Sequence, residues 1–164
     1  MPRPYLLAVI LFVFPVPSAL QATAQISLDP HAAAKAYVMY TDEAQTIAAN
    51  KPATLELLFQ VLSGYHINSH TPGSDFLIPT VVTLAPAAGI KTRDPHYPSG
   101  TPYSFDFDPG TKLDVYAGEF IIRLPVVASA GEHTLEGTLK YQACDNASCY
   151  PPRTVPLKLL FNAK

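Results

Sequence analysis

Between Thr54 and Phe161 apolar residues recur at every second position, in short runs closed by turn residues. That period belongs to strands, whose successive side chains point to opposite faces of a sheet; helical apolar faces recur every three or four residues. Leu55, Leu57, Phe59 and Val61 alternate with Glu56, Leu58, Gln60 and Leu62, a pattern that leaves the second set partly apolar, as in stacked sheets. Leu135, Gly137, Leu139 and Tyr141 alternate with Thr134, Glu136, Thr138 and Lys140, and Val155, Leu157, Leu159 and Phe161 repeat the pattern. Tyr37–Tyr40, Gln45–Ala48 and Phe76–Leu84 are expected as further strands, with Lys112–Tyr116 and Glu119–Val127 as a pair around Ala117-Gly118. About eight short strands, with turn signals roughly every 8 to 12 residues and no convincing long helix, are the profile of an all-β antiparallel sandwich.

From Ala85 to Gly110 the alternation loosens into a proline-rich and glycine-rich connection. Long connections inside compact domains are uncommon and often functional. Tyr97, Tyr103, Phe105 and Phe107 lie in it without an evident strand to bury them, so they are expected to pack over the edge of the core or over a site.

The only two cysteines, Cys144 and Cys149, sit in the run YQACDNASCYPP, just after one alternating strand and before another. Closing so small a ring restricts the unfolded chain little: loop entropy gives about 2 kcal/mol, against nearly 5 for a loop of about 100 residues. The spacing leaves a structural bridge and a redox couple both open. A metal site would need two further ligands, and Cys-x4-Cys is not a usual half-site. His66 and His70 have the spacing of helical metal ligands, but on a strand they would stand about 13 Å apart, too far to share an ion. No cofactor is expected.

The N-terminus constrains where such chemistry takes place. Arg3 precedes an apolar run from Tyr5 to Leu20, broken by Pro15 and Pro17, and Ala22-Thr23-Ala24 follows in small-x-small form. This is the pattern of a secretory signal over residues 1–24, cleaved after Ala24 and too short to span a bilayer as a helix. A leader, 25–36, and one domain, 37–164, are expected to follow, with no membrane insertion after cleavage. Export would place the cysteines where disulfides persist. A formal charge of -2 offers no basic field for nucleic acid.

The segment Leu139–Leu159, LKYQACDNASCYPPRTVPLKL, resembles the N-terminal periplasmic domain of the DsbD family of thiol:disulfide interchange proteins. Tyr141-Gln142, the two cysteines, Tyr150-Pro151-Pro152 and Val155-Pro156-Leu157 carry the resemblance. Gly64-Tyr65-His66-Ile67, Lys112–Tyr116 and Leu124-Pro125-Val126 extend it over nearly all of the chain beyond the signal. The resemblance implies an immunoglobulin-like sandwich in the periplasm, exchanging electrons through Cys144 and Cys149. It further implies that Cys149 forms the mixed disulfides and that Cys144 resolves them. Thioredoxin-like periplasmic proteins are the implied partners, including those of cytochrome c maturation. With the sequence ending at Lys164, before the membrane and thioredoxin-like domains of the full-length family, a membrane thiol reductase is expected to act in trans. A short aromatic cap is implied over the cysteines, with Phe107 or Phe105 in that place, and His66, Asn68 and Tyr150 are expected around them. The alternative expectation is an exported immunoglobulin-like binding or scaffolding domain whose disulfide is static.

Overall fold

The structure, a computed structural model, describes residues 36–106 and 108–164. The expected signal segment, nearly all of the leader and Phe107 lie outside the described residues. Among those described there is no helix, and none therefore long and apolar enough to cross a membrane.

Among the described residues twelve strands form three four-stranded sheets. The first sheet orders β1 (Val38–Thr41), β3 (Ala53–Val61), β9 (Glu119–Ala128) and β6 (Ile90–Thr92) side by side. The second orders β2 (Gln45–Ile47), β12 (Arg153–Ala163), β10 (Gly131–Tyr141) and β5 (Val81–Leu84). The third orders β11 (Ala143–Cys144), β4 (His66–Asn68), β8 (Asp108–Tyr116) and β7 (Thr101–Phe105). All pairings are antiparallel except that of β2 with β12. The expected immunoglobulin-like sandwich is therefore the fold, with more and shorter strands than the alternation alone marks out.

The long strands follow the period-2 pattern closely. On β3, Leu55, Leu57, Phe59 and Val61 are buried, and on β9 so are Phe120, Ile122, Leu124 and Val126. Leu135, Leu139 and Tyr141 of β10 and Leu157, Leu159 and Phe161 of β12 join them in one core. The two main sheets are also tied by polar atoms: the Gln45 amide donates to the Glu56 carbonyl at 2.7 Å and accepts from its N–H at 2.8 Å. Gly137 interrupts the β10 alternation because β5 passes against it. A Cβ built there would stand 2.5 Å from the Thr83 carbonyl oxygen, closer than real side chains come.

Three expectations are corrected. The strand anticipated over Phe76–Leu84 begins only at Val81. Pro79 has no N–H to give a ladder, and Phe76 stands 97% exposed, so nothing draws the earlier residues into a sheet. The expected pair Lys112–Tyr116 and Glu119–Val127 does not pair: β8 lies between β4 and β7, whereas β9 lies between β3 and β6. Ala117-Gly118 has positive φ only at Gly118 (65°), which is not the doubly left-handed turn that closes a tight hairpin. The turn instead hands the chain from the small sheet to a main one, where the Gly118 carbonyl accepts from Val61 N–H at 2.8 Å. Finally, the connection 85–110 is not structureless. It contains β6, β7 and the start of β8, with Pro102 tolerated because β7 is an edge strand.

Candidate functional site

The cysteines lie where β10 ends and the chain enters the small sheet. After Tyr141, Gln142 breaks the long strand, Ala143 and Cys144 pair with Ile67 and His66 of β4, and the chain turns back through Asp145–Ser148 to Cys149. Cys144 and Cys149 face each other in an antiparallel bridge and are joined by a disulfide, with their Cα atoms 3.9 Å apart. Their surroundings differ sharply. Cys144 is fully buried, whereas Cys149 is exposed.

Asp145 shapes the turn between them. One carboxylate oxygen accepts from the N–H groups of Ala147 (2.8 Å) and Ser148 (2.9 Å), the local self-bonding that makes aspartate a turn residue. The other accepts from the Tyr150 hydroxyl at 2.5 Å. These bonds, the tyrosine's first, hold the carboxyl below its ordinary range, because each favours the ionised form. The same carboxylate, by accepting from the phenol, pushes Tyr150 up to about 12.

The base of the hairpin is fixed by side chains. Tyr150 N–H donates to the Ala143 carbonyl at 2.8 Å. The Gln142 amide donates to the Tyr150 carbonyl (3.2 Å) and accepts from Asn68 Nδ2 (3.1 Å) and Ile78 N–H (3.3 Å). Asn68, fully buried, thus braces the hairpin through Gln142, and it also donates to the Ile78 carbonyl at 3.0 Å. Tyr150 stacks on Tyr37 with centroids 4.9 Å apart and meets Tyr65 edge-on at 6.0 Å.

Above Cys144 stands a second aromatic group. His66, directly opposite Cys144 in the β4–β11 register, is only 5% exposed, and its ring centroid lies 4.0 Å from that of Tyr103 and 6.0 Å from that of Phe105. Burial lowers the His66 pKa, opposed in part by the Asp145 charge. The Tyr103 hydroxyl donates to Asn146 in the cysteine turn at 3.3 Å, so the edge strand β7 reaches over His66 to the loop. A cleft of about 290 Å³ opens beside it, with Tyr65, His66, Tyr103 and Asn146 among its walls. A roomier cleft of about 540 Å³ lies at the far end of β10, around His133 and Phe161, away from the cysteines.

The residues expected around the cysteines, His66, Asn68, Phe105 and Tyr150, are thus gathered at this end of the sandwich. Phe107 falls outside the described residues. Sequence reading groups Tyr103 with the loop aromatics expected over the core edge or a site, without choosing it as the cap, and assigns no role to Asp145, Gln142 or Tyr37. Gln142 and Asp145 flank the cysteine run and were open to notice. Tyr103 and Tyr37 arrive from distant strands, and only the sheet order brings them here.

Comparison with solved structures returns domains of related kind. The reduced N-terminal domain of DsbD from Neisseria meningitidis is 21% identical over 66% of this chain and 77% of that one, with a TM-score of 0.45. The N-terminal periplasmic domain of ScsB from Proteus mirabilis is 15% identical over 74% of this chain and 44% of that one, at 0.51, a likeness of fold. A complex of the DsbD and PilB N-terminal domains from Neisseria meningitidis matches at 20% identity over 64% of this chain and 73% of that one, at 0.44. Comparison with curated proteins finds no match. The family described as "Thiol:disulfide interchange protein DsbD, N-terminal" matches residues 35–160. With that match spanning most of the chain and a disulfide joining the two cysteines that drew attention in the sequence, this chain belongs to the DsbD N-terminal domain family.

Proposed function

We propose that the chain is a periplasmic thiol:disulfide exchange module that cycles between the Cys144–Cys149 disulfide and the dithiol. The observation that carries this reading is the unequal exposure of the two cysteines, one exposed and one buried. Exchange requires an incoming thiolate to approach one sulfur in line while the other leaves. A donor thiolate attacks Cys149 Sγ, the bond between the cysteines breaks, and Cys144 leaves as thiolate. The donor's second thiolate then releases Cys149 and carries the donor's own disulfide away. In the forward direction Cys149 attacks an acceptor disulfide, and Cys144 attacks Cys149 Sγ and expels the acceptor thiolate. Two electrons pass at each exchange, and no cofactor is needed.

Thioredoxin-like proteins of the periplasm are the proposed partners, with a membrane thiol reductase as donor in trans. Tyr103 and Phe105, on the edge strand that reaches the cysteine turn, serve as cover against stray thiols, an arrangement supported by their ring distances to His66. The deciding experiment is the reduction potential of the couple, from glutathione or dithiothreitol buffers with alkylation and mass shift. The expected value lies at about -120 to -270 mV, the span of working exchange proteins; one below about -300 mV identifies a static bridge.

A further inference from the structure

In the closed disulfide neither sulfur carries a proton, and the imidazole facing the buried one has a nitrogen with nothing to bond. His66 Nε2 is buried and without a hydrogen-bond partner. Directly opposed residues of an antiparallel pair project to the same face, with Cβ atoms about 4.5–5.5 Å apart. His66 and Cys144 are such a pair, and both are buried. Orphaned buried polar atoms are rare enough to require a reason. Opening the disulfide supplies one, because the residue paired opposite that imidazole, Cys144, then becomes a thiol.

We propose that His66 Nε2 is the proton acceptor for Cys144 in the resolving step. The inference rests on the exchange reading above and assigns a residue to its hardest step, forming a thiolate inside the protein. Cys144 S–H passes its proton to His66 Nε2. The Cys144 thiolate attacks Cys149 Sγ, the bond from Cys149 to the partner sulfur breaks, and the partner leaves as thiolate with that electron pair. In reverse, the His66 imidazolium returns the proton to Cys144 as it leaves.

The surroundings suit the role. Burial keeps the imidazole neutral and therefore able to accept a proton. The titratable groups that face it are Cys144 itself, Asp145 in the turn and Tyr103 from β7. Tyr103 stays a neutral phenol, its pKa raised by burial and by Asp106 and Asp145. Asp145 supplies the negative charge that favours the imidazolium once formed.

The test uses the reduced chain and 5,5'-dithiobis(2-nitrobenzoate), followed by stopped flow from about pH 5 to 9, the range in which histidine titrates. Cys149 releases the first thionitrobenzoate and Cys144 the second. The second phase is expected to show a histidine inflection below that of the thiol. His66→Phe, which keeps a ring against Tyr103, should lose that inflection and slow the second phase about 100-fold near neutrality, the low end of general-base effects. His66→Gln should lose the inflection as well. An unchanged pH profile in a folded His66→Phe overturns the proposal. Should the variants not fold, the wild-type imidazole is titrated by NMR in oxidised and reduced chain. A shifted midpoint supports the proposal, and identical midpoints overturn it. Because the reagent needs no protein partner, these outcomes stand whether or not the chain exchanges with thioredoxin-like proteins.

Discussion

The two ends of the sandwich are built on different principles. In its body β3, β9, β10 and β12 bury alternate side chains in one core, and the ladders between them run for many residues in unbroken register. At the cysteine end β11 has two residues and β4 three, too short to hold themselves, and order comes from side chains: Gln142, Asn68, Asp145 and the tyrosines on either side of them. The body draws its stability from apolar area, which no redox event alters. The cysteine end is held by individual polar bonds, which can be exchanged one at a time. The disulfide is placed where opening it disturbs little of the core.

That contrast can be broken most completely at the sulfurs. Cys149→Ser should abolish exchange, and Cys144→Ser should accumulate mixed disulfides, both read by mass shift after mixing with a disulfide reagent. Urea unfolding of either variant should show a loss near 2 kcal/mol at most, the worth of so small a ring. If both variants unfold, the cysteine end is a staple and the contrast fails. Leu124→Ala, at a fully buried site of β9, should cost about 2–5 kcal/mol on the same urea curves while leaving the folded fraction competent for exchange. A smaller effect follows from Tyr103→Ala, which removes the ring over His66. Reaction of the disulfide with dithiothreitol should then accelerate severalfold; an unchanged rate removes Tyr103 as cover.

The smallest effect concerns pH. Asp145 has a lowered pKa when folded, so its contribution is present above the ordinary carboxylate value and is lost as pH falls through the lower, folded value. Asp145→Asn should therefore flatten the acid limb of the stability curve slightly in that window, measured by thermal melts across acid pH. An acid limb identical to wild type would mean that the turn does not depend on the carboxylate's charge.

The same contrast explains what could be read from the chain beforehand. Alternation is a local signal, and where each strand carries its own buried face, as from Leu55 to Val61 or from Leu135 to Tyr141, residues and structure agree. It fails where strands are short or irregular. β7 contains Pro102 and a register shift between Tyr103 and Phe105, so its sequence resembles a loop. Phe76–Leu84 misleads in the other direction: Phe76 stands in solvent, and the Ile78 N–H donates to the Gln142 side chain. The cysteines stood out by composition, and the family resemblance brought His66, Asn68 and Tyr150 to them. Tyr103 could be grouped with the loop aromatics but not chosen from them, because nothing near it in sequence records that β7 will lie along β8, two strands from β11.

The pairing of β11 with β4 joins residues far apart in the chain, so it must await the closure of a long loop and forms late in folding. The sulfurs need not wait. They are the only two in the chain and stand five positions apart, so an oxidant that meets the nascent, unpaired polypeptide can make just one internal bond. That bond is also the one found in the finished fold. Oxidation and folding can therefore occur in either order and reach the same product, with no scrambled isomer to be repaired.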